Sequence, residues 1–165
     1  GFLVSDKVGE VKFVNAANLA KLKEKVEDEE KQKVTKLLFS HQQECVGLKL
    51  TPDGKQLISF DTLKRIRVSD FPNVFNITEV VLHHENLIGD LVYYQNMILS
   101  YSPVDEMLYL SDIKTGSSII TQKGAEKEDF MIKGIATDSH GKHLHCLLYN
   151  LKRQAYQLQI LDFDQ

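Results

Sequence analysis

Three histidines late in the sequence, His140, His143 and His145, come nearest in type and spacing to a metal site. On a strand, His143 and His145 share one face, as two ligands of a single ion must. No third ligand stands at a useful spacing, because His140 sits across a turn and Cys146 points to the opposite face. Other chemistry has no better footing. The chain has no Gly-rich phosphate loop, no HExxH, no CxxC pair and no nucleophile elbow. Carboxylates are plentiful, but none is paired in a way that separates an acid from a base. The residues read as those of a non-enzymatic protein that needs neither cofactor nor metal.

A basic cluster, Lys64, Arg65 and Arg67, suits recognition better than catalysis. Arg65 and Arg67 stand two apart, so a strand presents both on one face, with Lys64 at its turn end. Arginine pairs bidentately with carboxylates, so such an edge can dock an acidic partner. Lys152 and Arg153 form a second, smaller basic turn. Two small clusters in a chain of 20 Lys+Arg against 23 Asp+Glu, net charge −3, do not make a nucleic-acid footprint.

The elements that must position these residues are short strands. With 42% hydrophobic and 26% charged residues over 165 positions, the chain can bury a core and is neither collagen-like nor disordered. No apolar run approaches the roughly 18 residues of a membrane helix, and Gly1-Phe2-Leu3-Val4-Ser5-Asp6 is no signal peptide. Cys45 and Cys146, 101 positions apart in apolar stretches, read as buried free thiols, and Asn76-Ile77-Thr78 as a chance sequon. These features favour a soluble protein of the nucleus or cytosol, with no membrane contact.

Val46 to Ser59 reads as an alternating strand, a Pro52-Asp53-Gly54 turn and a second strand. The figure returns around Gly134 and Gly141, each 87 positions after its counterpart, Gly47 or Gly54, and Ile88 to Tyr94 supplies a middle copy. His41 and His84 are 43 apart, and the aspartates ending Arg65–Asp70 and Met107–Asp112 are 42 apart. A period near 43 with alternating strands predicts an all-β fold of four-stranded propeller blades. The expected division is the end of one blade over 1–15, a charged inter-blade insertion over 16–36, and blades over 37–79, 80–122 and 123–165. From Lys21 to Lys36, 11 of 16 residues are charged, which suits a solvated loop. About three blades are too few for a usual closed ring, so the chain reads as a fragment or an incomplete propeller. Its uncovered end faces predict self-association.

WD repeats tie each blade with a histidine, a strand Ser or Thr, a tight-turn Asp and a Trp. Here His41 and Ser59 fill two of these places in one blade, and His84 and Asp105 in the next. The tight-turn position of the first holds Leu63, and the Trp positions hold Ser69 and Ser111, so both networks read as incomplete.

At Arg65-Ile66-Arg67-Val68-Ser69 the chain resembles a particular WD-repeat family, the non-catalytic subunit of the tRNA (guanine-N(7)-)-methyltransferase. Val4 to Val11, Leu38 to His41, Leu48 to Asp53 and Leu82 to Glu85 carry the same resemblance, in order, over residues 2 to about 118. It departs from the family at Leu63-Lys64, where Asp-Glu is usual, and at Ser40-His41 and His83-His84, where Gly-His is usual. The resemblance implies a scaffold that forms a heterodimer with an S-adenosylmethionine-dependent methyltransferase, touching tRNA indirectly through the complex, in the nucleus or also the cytoplasm. It also implies that Arg65 and Arg67, with Lys64 beside them, face the enzyme subunit. A generic propeller scaffold of another intracellular complex is the alternative.

Overall fold

The computed structural model describes residues 1–17, 35–81, 83–104, 107–115, 117–123, 130–138 and 142–162. Among these, fourteen strands form four antiparallel sheets in chain order. The first sheet holds β1 (Phe2–Ser5), β2 (Glu10–Val14) and β3 (Thr35–Ser40). The second holds β4 (Cys45–Leu50), β5 (Gln56–Asp61), β6 (Ile66–Asp70) and β7 (Ile77–Val81). The third holds β8 (Asp90–Tyr94), β9 (Met97–Tyr101), β10 (Met107–Asp112) and β11 (Ser118–Lys123). The fourth holds β12 (Phe130–Thr137), β13 (His143–Asn150) and β14 (Ala155–Asp162). Each sheet is an up-and-down meander, and consecutive sheets pack face to face. This is the all-β, WD-repeat-like propeller architecture that the 43-residue period predicts.

The period-2 geometry of a strand explains how a middle blade is held on both sides. In β5, Leu57 packs with Val11, Leu38, Phe39 and Cys45 toward the first sheet. Its neighbours Ile58 and Phe60 point the other way, into a cluster with Ile66, Val68, Leu91 and Ile98. The third sheet repeats the device: Ile98 faces back, while Val92 and Leu99 face Ile132, Ile135, Leu144 and Cys146 of the fourth. A slip of one residue in β5 or β9 would exchange the two junctions, so the register is strongly specified. Both cysteines are buried free thiols in different clusters, and burial pushes each above the ordinary thiol pKa.

Turn chemistry fixes the ends of the strands. Between β4 and β5 the Gly54 amide donates to the Thr51 carbonyl at 2.8 Å, and Gly54 takes φ +69°, a conformation open to glycine at little cost. Gly47 serves a different purpose: a Cβ there would lie 2.4 Å from the Phe60 ring, so its absence makes room for that core aromatic. The charged interval is placed by its flanks, since β2 and β3 pair with each other in one sheet. The interval therefore joins two neighbours of a blade rather than separating two blades; residues 18–34 lie outside the described residues. The stretches 37–79, 80–122 and 123–165 largely coincide with the second, third and fourth sheets, each beginning within the last strand of the sheet before it. At the two ends of the stack, Phe2, Val4 and Leu37 of the first sheet and Tyr156, Leu158 and Ile160 of the last are exposed. Among the described residues no helix is long and apolar enough to cross a membrane.

Candidate partner-binding site

The link between β3 and β4 carries His41, and its backbone fixes where the ring goes. The His41 amide donates to the Gly9 carbonyl at 2.8 Å, and the Thr62 amide donates to the Glu44 carbonyl at 3.0 Å. The link is thus tied to the β1–β2 turn on one side and the β5–β6 turn on the other. From there the ring places Nδ1 3.0 Å from Asp61 Oδ2 and Nε2 2.8 Å from Ser59 Oγ. Asp61 also accepts from the Arg65 amide at 3.1 Å, from Arg65 Nε at 2.9 Å and from Nη2 at 2.6 Å. Arg65 Nη1 completes the set by donating to Gln42 Oε1 at 3.0 Å.

Electrostatics set the protonation states. Burial depresses the His41 pKa, the Asp61 carboxylate opposes that, and the charges of Arg67 and Arg65 add to the depression, so the net shift is downward. The ring is neutral at pH 7, with Nδ1–H donating to the carboxylate and Nε2 accepting from the Ser59 hydroxyl. Burial alone would raise Asp61, but the hydrogen bonds and charge of Arg65 outweigh it and hold the carboxyl below its ordinary range. Ser59, His41 and Asp61 stand in the hydrogen-bond order of a catalytic triad. Ser59 and Asp61 are completely buried and the His41 side chain is only 4% exposed, so no carbonyl substrate reaches the serine oxygen. What the arrangement can do is clamp a link and a turn to β5.

This overturns the expectation that the first full repeat lacks its tight-turn carboxylate. Asp61, two residues before Leu63, fills that role, and sequence alignment of the turn on Leu63 misses it. Leu63 is the exposed tip of the turn. The second histidine is placed alike: His84 is buried, with Nε2 2.7 Å from Ser100 Oγ and its ring edge-on to Tyr109 at 4.5 Å. Asp105 lies outside the described residues.

The basic residues divide three ways. Arg65 spends its guanidinium on Asp61 and Gln42. Lys64, in the left-handed region at φ 68°, donates Nζ to the Glu85 carbonyl at 3.0 Å. Arg67 lies in the groove between the first two sheets, its guanidinium carbon 3.9 Å above the Phe39 ring centroid. Its Nε donates to Ser69 Oγ at 2.8 Å and its Nη2 to the Val74 carbonyl at 2.6 Å. Among the described residues no carboxylate lies within ion-pair distance of Arg67, and burial lowers its pKa. Phe39 and Ser69 are therefore members of the site that sequence reasoning did not single out.

Of the histidines considered as metal ligands, His143 and His145 lie two apart on β13. His143 Nδ1 lies 2.9 Å from Asp138 Oδ2, a hydrogen bond that, with two backbone amides, lowers the Asp138 pKa to about 2. His140 lies outside the described residues, and among those described no three His, Cys, Asp or Glu side chains gather as a metal site. Lys152 and Arg153 are exposed on the β13–β14 turn, where the Arg153 amide donates to Asn150 Oδ1.

No family model matches the chain. The tRNA (guanine-N(7)-)-methyltransferase non-catalytic subunit wdr4 of Dictyostelium discoideum is 32% identical over 96 residues, 54% of this chain and 21% of that protein. The chain thus spans about a fifth of the length of this curated relative. A chain of the Mitotic Checkpoint Complex superposes with a TM-score of 0.70 at 17% identity, over 99% of this chain and 46% of that one. The computationally designed Ika8 protein gives 0.61 at 13% identity, over 96% and 42%. The two structures share the fold with this chain. The sequence likeness is to a non-catalytic subunit, and it covers about half of the residues.

Proposed function

We propose that this chain is a non-catalytic scaffold that binds and stabilises an S-adenosylmethionine-dependent tRNA guanine-N(7) methyltransferase, in the nucleus, and meets tRNA through that complex. The observation that carries the reading is Arg67. A guanidinium that is half-buried, stacked on Phe39 and held by two neutral acceptors is fixed in place but lacks a counter-charge among the described residues. A carboxylate from a partner would supply that charge at little cost in side-chain entropy, because the donor is already ordered. The likeness to wdr4 supports the identity of the partner. Arg65 acts by positioning the β5–β6 turn through Asp61, and Lys64 contributes at the rim, where a charge is worth little.

Arg67→Glu should abolish co-elution with the catalytic methyltransferase, and Arg67→Gln should weaken it by tenfold or more, since truncating one partner of a desolvated charge pair costs about 2–5 kcal/mol. Circular dichroism of the free variants reports the fold separately. Unchanged retention of the methyltransferase by folded Arg67→Glu overturns Arg67 as the anchor. Retention of a different protein in its place assigns the generic scaffold role.

A further inference from the structure

The link between β6 and β7, Phe71-Pro72-Asn73-Val74-Phe75-Asn76, is tied down on both sides of a phenylalanine that faces solvent. The Phe71 amide donates to the Lys55 carbonyl at 2.6 Å, the Asn76 amide to the Asn73 carbonyl at 3.1 Å, and the Asp70 amide to the Asn76 carbonyl at 2.9 Å. Asn76 Nδ2 and Thr78 Oγ1 both donate to the Asp70 carboxylate. Val74, 2% exposed, packs among Leu38, Phe39 and Leu57. Phe75 follows it at 82%, the highest exposure of any large hydrophobic side chain among the described residues. Single exposed aliphatics are ordinary, but an aromatic displayed by a fixed loop offers a large apolar area that binds with little loss of freedom.

Phe75 adjoins the Arg67 site through the backbone. The carbonyl that accepts from Arg67 Nη2 at 2.6 Å belongs to Val74, the residue before it. On β7, Val80 stands directly opposite Arg67, so the two share a face of the sheet, and Val80 is 41% exposed. Arg67 Nη1 makes no hydrogen bond among the described residues. The cation thus keeps one open donor, with an exposed apolar residue on the strand beside it and another next to the carbonyl that holds it. The carboxylates described on this link and on the neighbouring β4–β5 turn are Asp70 and Asp53. They already accept hydrogen bonds, Asp70 from Asn76 and Thr78, Asp53 from Thr51 and Lys55.

We infer that Phe75 is the apolar anchor of the interface built on Arg67, and that the partner surface it fits is a hydrophobic pocket with a carboxylate beside it. The inference rests on the proposed function for the identity of that partner, the catalytic methyltransferase. The Phe75 ring fills the pocket, Val80 extends the apolar rim, and the carboxylate meets the open Nη1 of Arg67. The two contacts have different physics. Seating the ring removes water from around the guanidinium, which strengthens its ion pair, whereas the ion pair itself fixes orientation. The apolar contact is insensitive to salt and the charged one is not.

The test is titration of the purified catalytic methyltransferase with variants of the whole chain over a range of salt concentrations. Phe75→Ala should weaken binding about tenfold or more at every salt concentration. Its melting temperature should match the wild type, because the ring is exposed in the free chain. Phe75→Tyr should stay within about threefold. Arg67→Gln should instead flatten the dependence of affinity on salt. Tyr156→Ala removes another exposed ring, on the fourth sheet, and should stay within about twofold. Wild-type affinity in Phe75→Ala alongside loss of binding in Arg67→Glu overturns the inference and leaves the proposed function standing. Equal losses in Phe75→Ala and Tyr156→Ala overturn it too, because any exposed ring would then serve. Absence of binding by the wild type overturns the proposed function and this inference together.

Discussion

In the second sheet the histidine that enters from the preceding link meets a buried carboxylate; in the third its counterpart meets a buried serine hydroxyl. His41 bonds Asp61 and Ser59, and Asp61 is charge-balanced by Arg65. His84 bonds Ser100, and the turn position matching Asp61 holds Ser102, equally buried. The position matching Arg65 holds Met107, since both supply the carbonyl that closes the turn. Acid and base thus stand together at these two positions in one blade, and serine and methionine stand at the matching positions in the next. A buried charge is tolerated here only as a complete set, which is what desolvation physics requires. The same frame accepts a neutral solution in which His84 rests its ring edge-on against Tyr109, the residue at the Arg67 position.

The sharpest way to break this comparison is to remove the carboxylate. Asp61→Ala leaves Arg65 and His41 without their acceptor and should destabilise the chain by about 3–5 kcal/mol in urea unfolding. Ser102→Ala should cost only about 1 kcal/mol. The double change Asp61→Ser with Arg65→Met, which copies the third sheet, should recover a large part of the Asp61→Ala loss. If Asp61→Ala and Ser102→Ala cost the same, the charged network adds nothing to the blade.

Acid should separate the two sheets next. The folded-state pKa of His41 is depressed, so its contribution is full above the unfolded value of about 6.5 and fades as pH falls below it. Asp61 is likewise depressed, so its contribution is full above about 4 and is lost as pH falls further. Urea midpoints of the wild type should therefore drop in two windows. His41→Gln should flatten the upper one and Asp61→Asn part of the lower. Asp138→Asn, in the fourth sheet, should act in the lower window alone, because Asp138 ionises near pH 2. Persistence of the upper window in His41→Gln would remove His41 from the account.

How much of this was visible before the fold depends on what kind of signal each residue leaves. Leu57 and Ile58 declare a strand with two buried faces by being adjacent and apolar, and the 42–43 residue spacing declares blades. The exact edges of those blades were hidden, because nothing in Phe39-Ser40-His41 marks that one sheet ends there and another begins. Asp61 was hidden for a similar reason: an aspartate closing a strand looks like any other. Only the tertiary arrangement brings a histidine 20 positions earlier to 3.0 Å from it. Arg65 and Arg67 were legible as a basic pair on one face. That one is spent on Asp61 while the other lacks a counter-charge follows from geometry, not from spacing.

The smallest expected effect tests the two positions where a tryptophan is usual in such repeats. Ser69 and Ser111 are 42 apart and both completely buried. Ser69 Oγ accepts from Arg67 Nε at 2.8 Å, whereas Ser111 Oγ has no hydrogen-bond partner among the described residues. Removing a hydroxyl has opposite consequences in the two settings. Ser69→Ala strands a guanidinium donor and should cost about 1–2 kcal/mol, with a parallel weakening of any partner bound through Arg67. Ser111→Ala removes an oxygen that was desolvated for no return, and should be neutral or stabilising by up to about 1 kcal/mol. Equal losses in the two variants would mean that Ser111 finds an acceptor or a water in solution. The third sheet would then carry a polar network of its own, and the contrast with the second would narrow to the charge on Asp61.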